Sequence, residues 1–110
     1  MKYTRIAIHD LKPGTIAFTL DRTENELLPL FRSQPGFVSY AVYRVSDHQV
    51  ASVSAWETRE AADSAARLAE DWIRSSMPGS MSSSRVVVGE LVFESEGPSL
   101  MAGEEPAPLH

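Results

Sequence analysis

Residues 35–73, PGFVSYAVYRVSDHQVASVSAWETREAADSAARLAEDWI, decide the fold. Pro35-Gly36 is a turn pair, and Phe37 to Val45 follows as a strand rich in β-branched and aromatic residues. Ser46-Asp47-His48-Gln49 supplies the turn chemistry of a hairpin, from which Val50 to Trp56 returns as a second strand. Thr58 is then an N-cap, with Glu57 and Glu60 beside the positive end of a helix dipole. Ala62, Ala65, Ala69, Trp72 and Ile73 recur at helical spacing, and Arg59, Asp63, Arg67, Glu70 and Arg74 fall opposite. That pattern predicts an amphipathic helix running to about Ser76.

Side chains on a strand alternate between faces. Val50, Ser52, Ser54 and Trp56 therefore share one face, and Ala51, Val53 and Ala55 share the other. Neither face is polar, which predicts a strand covered on both sides. In a chain of 110 residues the second cover is expected from another copy of the chain, a homodimer through the sheet face.

Working outward, Tyr3 to Leu11 alternates as a strand and stops at Lys12-Pro13-Gly14. Thr15 is a candidate cap for a first helix with Ile16, Leu20, Leu27 and Phe31 on its apolar side. Pro29 predicts a kink or broken last turn there. Met77 to Ser84 reads as a flexible loop and Arg85 to Phe93 as the last strand. The order β-α-β-β-α-β is the ferredoxin-like α+β arrangement, with a four-stranded antiparallel sheet. Residues 1–94 form one domain and 95–110 an acidic, flexible tail.

Composition excludes several classes of function. There is no cysteine, hence no disulfide framework, cysteine-held metal or thiol nucleophile, a composition that suits a reducing cytoplasm. Four of the fifteen acidic residues follow Phe93, and the body carries no clustered basic footprint, which argues against nucleic acid. No apolar run reaches the roughly 18 residues of a membrane span, and the first residues read as a strand rather than a signal peptide. The three histidines and the carboxylates are not spaced for a metal, and no serine sits in a nucleophile elbow.

Three segments together carry a resemblance: Lys12-Pro13-Gly14 after the first strand, Gln34-Pro35-Gly36-Phe37 before the second, and Ser54-Ala55-Trp56-Glu57-Thr58 opening an alanine-rich helix. Over residues 3–93 the chain resembles the antibiotic biosynthesis monooxygenase-like proteins of the dimeric α+β barrel superfamily. The resemblance implies two sheets packed face to face in a dimer, and a pocket between sheet and helices of each subunit. It implies a strand-three tryptophan, here Trp56, lining that pocket. It further implies either cofactor-free oxidation of anthrone- or quinol-like aromatics by O2 or, in another branch, haem binding. The family's pocket asparagine has no counterpart, since Asn25 lies on the first helix and Ser52 stands at the matching strand position. The haem branch needs a helix-borne histidine, whereas His9, His48 and His110 lie on a strand, in a hairpin and in the tail.

Cofactor-free oxygenation needs an apolar cavity, a proton acceptor and donors for developing negative charge. The expected site has Trp56 as indole N–H donor and His9, grouped by parity with Arg5 and Ala7, as base. Ser52, Ser54, Trp72 and Tyr43 are the expected substrate contacts. No metal or other cofactor is called for. Tyr40 and Tyr43 lie on opposite faces, so at most one reaches any one cavity. The competing reading is a non-catalytic dimeric barrel that binds a small apolar ligand or has a structural or accessory role. In it, Trp56 and Trp72 are core aromatics.

Overall fold

The computed structural model describes residues 2–97. The larger part of the expected acidic tail lies outside the described residues. Strand β1 spans Tyr3–Leu11, and the first helical segment is α1 (Ile16–Arg22), a π-helical turn (Thr23–Leu27) and α2 (Leu28–Arg32). The hairpin is β2 (Phe37–Ser46) with β3 (Gln49–Trp56), followed by α3 (Arg59–Ser76) and β4 (Met81–Glu90). All three strand pairings are antiparallel, in the order β2-β3-β1-β4.

The hairpin and α3 form as their residues predict. Gly36 has a φ of 82°, open to glycine at no steric cost, and a Cβ there would stand 3.1 Å from the Ala61 Cβ. The same turn accepts the Glu57 N–H on the Gly36 carbonyl at 2.8 Å, tying the two ends of the hairpin to the start of α3. Thr58 caps that helix, its hydroxyl accepting from the Ala61 N–H at 3.1 Å. Ala62, Ala65, Ala69 and Trp72 are its buried stripe.

Three local expectations need correction. Thr15 stands at the N-cap of α1 as expected, but its side chain makes no capping bond; its hydroxyl donates instead to the Lys12 carbonyl at 2.7 Å. The break near Pro29 falls earlier, in the π-helical turn Thr23–Leu27, and Pro29 sits in the first turn of α2. A proline ring collides with the carbonyl four residues back, here that of Asn25, so the distortion is borne by the preceding turn. The last strand runs over Met81–Glu90 rather than Arg85 to Phe93. Ser82, Ser83 and Ser84 belong to the ladder because their hydroxyls meet β1: Ser82 donates to the Asp10 carbonyl at 3.2 Å, Ser83 to the Asp10 carboxylate, and Ser84 pairs with His9.

Each face of the sheet has its own character. Arg5, Ala7, His9 and Leu11 on β1 face the helices with Val50, Ser52, Ser54 and Trp56 on β3, and all are buried. On the far face Ala41, Val53, Ile6 and Val87 align across the four strands, with Ile6 41% and Val87 60% exposed. Tyr43, Ala51, Ile8 and Arg85 form the next row. This far face is an apolar sheet surface that nothing among the described residues covers. Among the described residues no helix is long and apolar enough to cross a membrane.

Candidate active site

The layer between sheet and helices divides into two ends. At one end Trp56 is fully buried, edge-on to Phe31 and to Phe37 at ring separations of 5.4 Å each. Tyr40 adds a further edge contact to Phe31 at 4.8 Å. The Trp56 indole N–H donates to Ser54 Oγ at 2.9 Å. Neither Trp56 nor Ser54 lines the grooves and the narrow centre described below. Both are therefore packed and mutually satisfied, and the donor expected for substrate is already used inside the protein.

The other end is polar. β1 places Arg5 and His9 toward α3, β3 places Ser52 beside them, and β2 places Tyr40 opposite Ser54 by register. α1 adds Thr19. Arg5 is 2% exposed, and its Nη1 reaches Ser52 Oγ at a long 3.4 Å. Its Nε has no hydrogen-bond partner, and among the described residues no carboxylate pairs with it. The buried hydroxyl of Thr19 is unpartnered as well. An isolated buried charge is costly unless paired. Burial accordingly pushes the Arg5 guanidinium below its usual range, with Tyr40 pulling the other way. Burial raises the Tyr40 phenol, against the opposing influence of Arg5 and Ser52.

His9 is 6% exposed, with Nδ1 2.7 Å from Ser84 Oγ. Burial first, and the Arg5 charge second, lower its pKa to about 4, with Asp10 acting in the opposite sense. The imidazole is thus neutral at pH 7. In the tautomer whose Nδ1–H donates to Ser84, Nε2 is free to accept a proton.

Space is arranged around this cluster as a narrow centre between two grooves. The centre has a volume of about 20 Å³ and is lined by Arg5, His9, Thr19, Tyr40, Ser52 and Trp72, among others. A groove of about 390 Å³ opens from it between α3 and β4, walled by Ala66, Glu70, Ile73, Ser84 and Val86, with Arg5 and His9 at its floor. A second, of about 450 Å³, lies between the π-helical turn and β2, where Asp21, Glu24, Tyr40 and Arg44 meet.

The sequence-predicted residues therefore separate. His9, Ser52 and Trp72 come together at the polar centre; Trp56 and Ser54 pack in the aromatic end. Tyr43 pairs with Ala51 on the opposite face of the sheet and is 56% exposed, so it does not reach this layer. Tyr40, three residues away and of opposite parity, takes that place. Trp72 spans the two helices, its N–H donating to Glu26 Oε1 at 3.1 Å while Arg22 pairs with the same carboxylate. Asn25 bonds to Asp21 on an exposed helix face and plays no part. Thr19 and Ser84 were not singled out from sequence; the signal for Ser84 would have been the pairing of β4 with β1. Among the described residues no group of three or more histidines and carboxylates is placed to hold a metal ion.

No family model matches the chain, and no curated protein matches it in sequence. Solved structures do match. The NE2512 protein of unknown function from Nitrosomonas europaea aligns at 17% identity over 89% of this chain and 95% of its own, with a TM-score of 0.72. A monooxygenase from the ActVA-Orf6 gene of Streptomyces coelicolor, solved with Nanaomycin D, aligns at 22% identity over 88% and 92%, with a TM-score of 0.68. SnoaB, a cofactor-independent oxygenase from Streptomyces nogalater, aligns at 17% identity over 86% and 93%, with a TM-score of 0.60. At such identities the likeness is one of fold. The chain shares with these structures the ferredoxin-like α+β fold, with its four-stranded antiparallel sheet.

Proposed function

We propose that the protein is a cofactor-independent monooxygenase-like enzyme acting on an aromatic, polyketide-like small molecule at the polar centre. The observation that carries this reading is the cluster of Arg5, His9 and Ser52 at the floor of a groove of about 390 Å³, within the volume range of small-molecule sites. The fold shared with two oxygenases supports it. Trp56 has no role in the chemistry here, because its donor is spent on Ser54.

The reaction asks little of the chain. Neutral His9 takes a proton from the acidic carbon of an anthrone-like ring. The resulting carbanion delocalises onto the ring oxygen, where the positive charge of Arg5 stabilises it. The electron-rich ring reduces O2, a peroxide forms at the same carbon, and loss of water leaves a carbonyl. The sum is a CH2 and O2 converted to C=O and H2O. The negative charge that develops on the substrate as the proton moves offsets the charge of Arg5 and stabilises the imidazolium that forms.

Oxygen uptake with an anthrone tests the reading. The wild-type protein is expected to exceed the spontaneous rate, and His9→Gln to lower kcat by about 100-fold. Uptake at the spontaneous rate by wild type would sink the enzyme reading. The narrowness of the centre, about 20 Å³, favours the second reading, a non-catalytic barrel that holds a ligand in the groove alone. Ligand binding without turnover identifies it.

The apolar row of Ala41, Val53, Ile6 and Val87, exposed at Ile6 and Val87 and partly so at the other two, supports a homodimer through the far sheet face, since monomers rarely leave so apolar a surface open. The absence of cysteine fits a reducing, cytoplasmic setting. Sedimentation is expected to give a dimer for wild type and a monomer for Val87→Lys. A monomeric wild type would remove the dimer from this account.

A further inference from the structure

Arg5 is the one feature of the interior that the packing does not explain. A buried arginine is ordinarily matched by a carboxylate, as the planar guanidinium suits two parallel bonds to one anion. Among the described residues that counter-charge is missing. Glu70, the one carboxylate on the wall of the adjoining groove, is paired with Arg74 at 2.9 Å. The guanidinium also stands 5.8 Å from the Phe31 ring centroid, an aromatic contact that orients it without neutralising it.

The unsatisfied groups converge. Arg5, with its unpartnered Nε, and Thr19, with its unpartnered hydroxyl, line the same space as Ser52 and Tyr40. That space, of about 20 Å³, has the size of one oxygen atom rather than of a ring. It communicates through Arg5, His9 and Ile73 with the groove beside β4, which has room for a ring system. We infer that this corner is a receptor for a single anionic oxygen, so that the ligand of the groove is an aromatic carrying an ionised enol, phenol or carboxylate whose oxygen is seated between Arg5, Thr19 and Ser52. The ring then lies over Val86 and Ile73, next to His9. This rests on the proposed function for the location of the site only, since charge recognition does not require turnover.

Matched, non-oxidised probes test it with the full chain. 2-Hydroxy-1,4-naphthoquinone, an anion at neutral pH, is compared by calorimetry with 2-methoxy-1,4-naphthoquinone, its neutral counterpart. Wild type is expected to bind the anion at least tenfold more tightly. Arg5→Met is expected to remove that preference, bringing the two probes to within about twofold of each other, and to hold or raise Tm, because an unpaired buried charge is lost. Val86→Trp, which fills the groove and leaves Arg5 intact, is expected to block both probes and gives a second route should Arg5→Met fail to fold. Naphthalene-2-carboxylate, against its methyl ester, shows whether a carboxylate serves as well as an enolate. Equal affinity of wild type for anion and neutral counterpart in both pairs would overturn the inference. So would an Arg5→Met protein with lowered Tm and unchanged preference, for then Arg5 is structural. Tenfold preference in a protein that consumes no oxygen leaves the receptor standing and removes only the enzyme.

Discussion

The two ends of the layer between sheet and helices are built from the same strands and differ in what they leave undone. At the Trp56 end the groups answer one another within the protein: the indole is met by Ser54, the turn at Gly36 by Glu57, the rings by one another. At the Arg5 end, two residues further along β3 and one strand over, a guanidinium nitrogen and a hydroxyl go unanswered and space is left beside them. Stability is concentrated in the first end, and the capacity to bind in the second. The two ends meet at Ser54, which lies opposite Arg5 on the sheet yet accepts from Trp56: polar side chains in the row Phe37–Trp56–Tyr3 would unfold the domain, whereas Arg5 tolerates an unfinished set of bonds.

Breaking the packed end has the largest expected effect. Trp56→Ala removes the centre of the aromatic cluster and leaves Ser54 without its donor, at a cost of about 3–5 kcal/mol, read from urea denaturation. A loss under about 1 kcal/mol would mean that the two ends are not distinct in stability. The polar end responds to pH instead. Its histidine has a pKa of about 4 folded against 6.5 unfolded, so between those values the unfolded chain binds the extra proton. Stability from this group is complete above pH 6.5 and is lost as pH falls toward 4, by about 2–3 kcal/mol at pH 4.5. Urea midpoints at pH 7.5 and 4.5 measure it, and His9→Gln should flatten the difference. The smallest effect sharpens the boundary between the ends. Trp72→Phe keeps one aromatic ring but deletes the pyrrole and its bond to Glu26, costing about 1–2 kcal/mol in the same denaturation measurement.

What the sequence disclosed follows the same division. Strand alternation, the Gly36 turn and the Thr58 cap are local signals, and they located β1, β2, β3 and α3 to within about a residue. The serines of β4 were unreadable locally, because their place in the ladder depends on Asp10 and His9, more than seventy positions earlier. Parity grouped Arg5 with His9, and Ser52 with Ser54 and Trp56, correctly for every one of them. It did not say that Ser54 would satisfy Trp56, nor that Arg5 would find no acid. Those outcomes depend on how α1, α2 and α3 settle on the sheet, and the residues that decide this, Thr19, Phe31 and Trp72, are spread over three helices.

The pairing of β1 with β4 sets the order in which the molecule is made. The first strand lies in the interior of the sheet, between the third and the last, so its second edge stays open until Met81–Glu90 has been synthesised. Loop closure over so long a segment is slow compared with forming the hairpin or α3, and a chain released early lacks its final strand. His9 gains Ser84, and the β4 groove its wall, only at that last step. A growing or truncated chain can thus hold a folded hairpin and helix on the ribosome and still own no binding site, which makes ligand capture a report on completed synthesis as well as on folding.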